Sequence, residues 1–191
     1  MADGLTTGAA LLALLLLTGG ERVHAQPAAL APPAAEPPTE YLVAGHVLRL
    51  VVEGDGCVVE REGGTGAAIK LKLDLQPPCY LLTWRQPPAR QADRTSDGVP
   101  LGSVGAPMAW RYPGIARVVV LAVIGDPLPE SLRASSLARL REQQGMRCGA
   151  SVQGILLRGE TVELSKKREH VGVLCAEIGL GEKDFWLLAH P

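Results

Sequence analysis

Val118–Ile124 reads Val-Val-Val-Leu-Ala-Val-Ile, seven apolar residues without interruption, and no later or earlier run outside the N-terminal leader is longer. Seven residues fall far short of the roughly 20 that a membrane-spanning helix needs. The run also has no polar face, so as a strand it must be covered on both sides and sit at the centre of a sheet. Ala116–Ile124 is therefore expected to be a central strand, and the rest of the chain has to supply its neighbours and its cover.

Neighbours are easily found. Ile69, Leu71, Leu73 and Leu75 alternate with Lys70, Lys72 and Asp74 within Ala67–Leu75, the signature of a strand with one wet face. Tyr41–Glu53 alternates most clearly over Leu48–Val52, and Gly54-Asp55-Gly56 turns it into a second strand, Cys57–Glu62. Cys79–Trp84, Met108–Tyr112, Met146–Leu157, Thr161–Ser165 and Val171–Glu177 complete the expected strands, with Arg158-Gly159-Glu160 as a hairpin turn. Residues 86–103 read as a long polar loop.

Only one segment has the marks of a substantial helix. Pro127 and Pro129 stand where a helix can begin, Glu130 lies near its positive end, and Gly145 stops it. Leu132, Leu137 and Leu140 give it an apolar stripe to lay on the sheet. Gly181–His190 forms a short second helix with Phe185, Leu188 and Ala189 on one side. Ten residues do not hold a helix alone, so this one must dock. The expected fold is α+β, a mainly antiparallel β-sheet with one central helix (about 127–144), a short C-terminal helix and two disulfides.

The compartment is read from the N-terminus and the cysteines. Gly8–Leu17 is a ten-residue apolar run, and Val23-His24-Ala25 offers a small-x-small cleavage pattern, although no Lys or Arg precedes the run. Residues 1–25 are expected to be a signal peptide, 26–39 a Pro/Ala-rich disordered tether, and 40–191 one α+β domain. Cys57, Cys79, Cys148 and Cys175 all fall in that domain, and an even count in an exported chain points to disulfides. The preferred pairs are Cys57–Cys79 and Cys148–Cys175, each bracketing a hairpin-rich segment. No CxxC occurs and the spacings do not suit zinc, so neither a metal nor a cofactor is expected. The chain is placed in the periplasm or outside the cell, without a stable membrane anchor once the leader is cut.

Beyond the leader, basic and acidic residues are equal in number, which argues against a nucleic-acid partner. Asn is absent, so there is no N-glycosylation acceptor. No catalytic residue is assigned. Gly102-Ser103-Val104-Gly105 and Gly149–Gly154 miss the spacing of a nucleophile elbow, and the glycine-rich turns precede strands rather than helices. His46 reads as a satisfied strand histidine, His170 as part of a solvated charged turn, and His190 as terminal.

One recurrence stands out. Trp84-Arg85-Gln86-Pro87 and Trp110-Arg111-Tyr112-Pro113 repeat Trp-Arg-x-Pro at two strand ends beside the long loop. If those strands are neighbours, Trp84 and Trp110 share one face, and Arg85 and Arg111 the other. A tryptophan platform with paired arginines would suit a small carboxylate or aromatic ligand, or another envelope protein. Core tryptophans with exposed arginines is the preferred reading, since Trp is usually buried. The expected function is a small exported binding or inhibitor-like domain that is not an enzyme, with this surface as its contact. The alternatives are a small envelope hydrolase or transferase using scattered carboxylates, and a structural subunit of an envelope assembly.

Overall fold

The apolar run forms β8 (Val118–Gly125), and all eight of its residues are buried. The structure is a computed structural model that describes residues 40–62, 68–86 and 98–190, with the backbone alone for 167–171. The expected signal peptide and tether lie outside the described residues. On one flank β8 pairs antiparallel with β9 (Cys148–Arg158), which pairs with β10 (Thr161–Cys175). Its other flank is shared. β7 (Ala109–Tyr112) covers Val118–Leu121, and β5 (Tyr80–Leu81) covers Val123–Ile124. β6 (Val99–Leu101) pairs with β7 and completes a six-stranded antiparallel sheet.

Both faces of that sheet are covered, as its central strand requires. A second sheet, the meander β1 (Glu40–Val43), β2 (His46–Glu53), β3 (Gly56–Arg61) and β4 (Ile69–Lys72), lies on one face. Between the sheets Tyr41, Val43, Leu48, Cys57, Val59 and Leu73 pack with Val119, Leu121, Val123, Ile155 and Leu157. Burial pushes the Tyr41 hydroxyl pKa up, against a smaller opposing effect of the Arg147 charge. On the other face α3 (Glu182–Ala189) lays Phe185, Leu188 and Ala189 on Trp110, Tyr112, Val120, Ile124 and Leu156. The Tyr112 hydroxyl donates to Glu182 O at 2.9 Å, and Gly181 N donates to Asp184 Oδ2 at 2.9 Å, so both ends of the first turn are tied. Close approach depends on Gly154, where a Cβ would stand 3.1 Å from the Leu188 Cβ. The architecture is α+β and mainly antiparallel, as the patterning indicates.

The chain crosses between sheets at residues 73–79. Leu73 and Leu75 stay buried and Asp74 exposed, so the alternation outlasts β4 itself. Asp74 N donates to Gln153 Oε1 at 2.8 Å, Gln76 N to Asp126 Oδ1 at 2.8 Å, and Asp126 N to Gln76 O at 2.8 Å. Cys57–Cys79 fastens the same crossing covalently, and Cys148–Cys175 joins the first residue of β9 to the last of β10. Their loops of 22 and 27 residues each correspond to about 3 kcal/mol on the chain-entropy treatment.

Several local expectations need correction. The helix expected over 127–144 is two, α1 (Glu130–Arg133) and α2 (Ser136–Gln143). Ser135 separates them because its hydroxyl accepts from Ala138 N at 3.2 Å, an N-cap that requires extended backbone. Leu137 and Leu140 are 48 % and 52 % exposed, and Ala138 is the buried residue of α2, so the leucine stripe does not lie on the sheet. Tyr41–Glu53 is a hairpin rather than one strand. Ala44 and Gly45 take φ of 50° and 87°, the left-handed pair that a tight two-residue turn needs. The strands expected at 161–165 and 171–177 are parts of one bulged strand, β10, and the charged 166–170 stretch is strand backbone rather than a turn. β6 lies inside the expected loop 86–103, of which 87–97 fall outside the described residues.

Candidate functional site

Arg111 alternates with Trp110 and Tyr112 along β7, so it belongs to the face that the small sheet covers. That cover is incomplete. Where β7 turns into β8, a groove of about 710 Å³ opens at the mouth of the sandwich. Val119 and Leu157, paired neighbours on β8 and β9, contribute its apolar floor. Ala44 and His46 come from the β1–β2 turn, Gly159 from the β9–β10 turn, and Pro113, Ala116 and Arg117 from the β7–β8 turn. Arg111 and Arg117 both line it, and among the described residues no acidic one does.

Two polar links tie the sheets together beside the mouth. His46 is 7 % exposed and its Nε2 lies 2.7 Å from Gly159 O, a contact between residues 113 apart in sequence. A carbonyl can only accept, so Nε2 donates in this contact. Arg61, also 7 % exposed, donates through Nη1 to Glu160 O. The two side chains seat the β9–β10 turn on the end of the small sheet. Ala116 and Arg117 have φ of 47° and 53°, a conformation that costs a non-glycine residue energy.

Among the described residues neither Arg111 nor Arg117 pairs with a carboxylate. The contrast with the outer face of the small sheet is sharp. There Arg49 meets Glu40, Glu60 and Glu62, while Lys70 meets Glu53 at 2.5 Å and Glu60 at 2.7 Å. These contacts hold the Glu60 carboxyl below its usual range and raise the pKa of Lys70 and Arg49. Chemically, the groove can bind and orient an anion: two guanidinium groups offer donors to its head, and the apolar floor receives its body.

The tryptophans occupy the other face. Trp84 and Trp110 do meet, with ring centroids 6.1 Å apart, and Trp110 lies 6.3 Å from the Phe185 ring. Trp110 is only 6 % exposed, and half-buried Trp84 donates its Nε1–H to Leu101 O at 2.7 Å. The pair is part of the core beneath α3 and offers no open platform. Arg85 is exposed but does not line the groove. Trp84 N bonds Ala106 O at 3.0 Å, where the chain approaches β7, whereas Arg111 lies toward the far end of that strand. Arg117 lines the groove with Arg111, and Arg85 does not. The side chain of His170 lies outside the described residues. His190 sits at the end of α3 with its ring 3.8 Å from that of Trp186.

Among the described residues no three His, Cys, Asp or Glu side chains gather where they could share a metal ion. No helix among them is long and apolar enough to cross a membrane. No family model matches this chain, and neither a curated protein nor a solved structure is similar to it.

Proposed function

We propose that this chain is an exported, non-catalytic binding domain that takes a carboxylate-bearing ligand in the groove of Arg111 and Arg117. The observation that carries the reading is the groove's charge: two arginines and, among the described residues, no acidic residue in the lining. Its volume lies within the roughly 300–1,000 Å³ common for small-molecule sites. The ligand fits as an anionic head between the guanidinium groups with an aromatic or aliphatic body over Val119 and Leu157. A hydrolase or transferase using paired carboxylates is less well supported, because the acid with a shifted pKa, Glu60, stands on the outer face of the small sheet in ion pairs with Arg49 and Lys70. Two disulfides and the leader pattern support a site outside the cytoplasm.

Calorimetric titration of the mature domain with aliphatic and aromatic monocarboxylates tests the reading. Binding should weaken with added salt and disappear in an Arg111→Ala, Arg117→Ala double variant that melts like the parent. Equal binding by the double variant, or preference for the uncharged amide analogues, would overturn it.

A further inference from the structure

At the opposite end of the sandwich a second cleft, about 280 Å³, lies between the α1–α2 segment and the start of β9. Pro127, Leu128 and Met146 contribute apolar walls, Tyr80 lies among them, and Cys148 is in the lining. From this cleft we infer that Cys148–Cys175 is a thiol–disulfide exchange site, opened by a dithiol whose thiolate attacks the Cys148 Sγ. The inference is independent of the anion groove.

Three observations converge on the direction of attack. The two sulfurs differ in access: Cys148 is half-buried at the cleft, while Cys175 is 0 % exposed, so the incoming thiolate can reach only Cys148. The two sulfurs also differ in charge environment. Arg141 Nη1 stands 3.9 Å from Cys175 Sγ and is held there by donating to Val173 O. A guanidinium beside a sulfur favours its thiolate form, and a thiolate so favoured is the better leaving group. Finally, the bond joins residues already opposed across a ladder. Leu174 pairs with Gly149, and Ala176 N donates to Arg147 O at 2.8 Å, so the hairpin is held without the sulfurs. Arg133, Arg147 and Glu142 are the charged residues lining the cleft among the described residues, and Arg147 is paired there with Glu177.

The exchange balances as follows. The dithiol's first thiolate bonds to Cys148 Sγ, the Cys148–Cys175 bond breaks, and its electron pair leaves on Cys175 beside Arg141. Cys175 then takes a proton from water. The second thiol, deprotonated, attacks its own partner sulfur in the mixed disulfide and expels Cys148 as a thiolate, which is protonated in turn. Two electrons and two protons pass from the dithiol to the cysteine pair, and the dithiol leaves as a disulfide. Cys57–Cys79 is an internal control. Cys57 is 0 % exposed and Cys79 half-buried, so access is as one-sided there, but among the described residues no cation contacts either sulfur.

The test uses the folded mature domain and dithiothreitol, with timed alkylation and peptide mapping. Cys148–Cys175 should open about tenfold or more faster than Cys57–Cys79, with the far-ultraviolet dichroism unchanged after the first step. Arg141→Ala should bring the rate toward that of Cys57–Cys79, and Arg141→Lys should retain most of it. A Cys175→Ser variant should form a mixed disulfide with oxidised glutathione at Cys148 while folded, a result that does not depend on changing Arg141. Simultaneous opening of both bonds, an Arg141→Ala rate equal to the parent's, or no adduct at Cys148 would each overturn the inference.

Discussion

The two ends of the sandwich both present arginine, and they treat it in opposite ways. At the Cys148 end Arg147 meets Glu177 at 2.6 Å and lies 5.4 Å from the centre of the Tyr80 ring. Both disulfides and the reciprocal hydrogen bonds of Gln76 and Asp126 cluster at that end. At the Gly159 end Arg111 and Arg117 have no carboxylate partner among the described residues, and the sheets are joined by two side-chain contacts to one turn. An arginine that meets an acid contributes to holding the fold, while one left without an acid is available to a ligand. With the proposed anion site at the Gly159 end, stability and binding would lie at opposite ends of the strands.

That separation makes the ends respond differently to substitution. The largest expected effect is at the closed end. Replacing Cys57 and Cys79 together by Ser should lower the unfolding free energy by about 3 kcal/mol, read from urea melts. Asp126→Ala should follow at about 2 kcal/mol, because it removes the buried acceptor of Gln76 N and leaves Ala at φ 63°. Arg147→Ala should cost about 1 kcal/mol, since its ion pair and ring contact are only half shielded. At the open end Arg111→Ala should change the melt by no more than about 0.5 kcal/mol while weakening carboxylate binding about tenfold or more. If Arg111→Ala destabilises as much as Arg147→Ala, the two ends are not different in kind.

How far this division could be read from residues alone depends on the range of the contact concerned. Val118–Ile124 is apolar on both faces, and its place at the sheet centre followed directly. Phe185, Leu188 and Ala189 are spaced for one face of a helix, and that face is the one α3 buries. Ser135 lies within a helical pattern, and only its capping geometry shows that the pattern breaks there. Ala44-Gly45 lacks the Asn or Asp that usually marks such a turn, so the first hairpin was hidden. Within the groove, Arg111 was legible from its Trp-Arg repeat, but its partner was not. Repetition selected Arg85, whereas the position of Arg117 depends on the β7–β8 turn and that of His46 on a contact across 113 residues. No local pattern reports a mouth formed by three separate turns.

The smallest expected effect bears most directly on why the open end is built as it is. Arg117 holds φ at 53°, where Gly is at ease and a long side chain is not. Its side chain is exposed and, among the described residues, without an ion pair, so the folded state gains little from it in return. Arg117→Gly should therefore raise the unfolding free energy by about 0.5 kcal/mol, the relief of the left-handed backbone exceeding the entropy Gly adds to the unfolded chain. The same variant should lose carboxylate binding, and Arg117→Lys should keep part of it at the parent's stability. A stabilised variant that no longer binds would show that this position trades stability for ligand contact. A variant that is stabilised and binds as before would place the anion on Arg111 alone and remove Arg117 from the site.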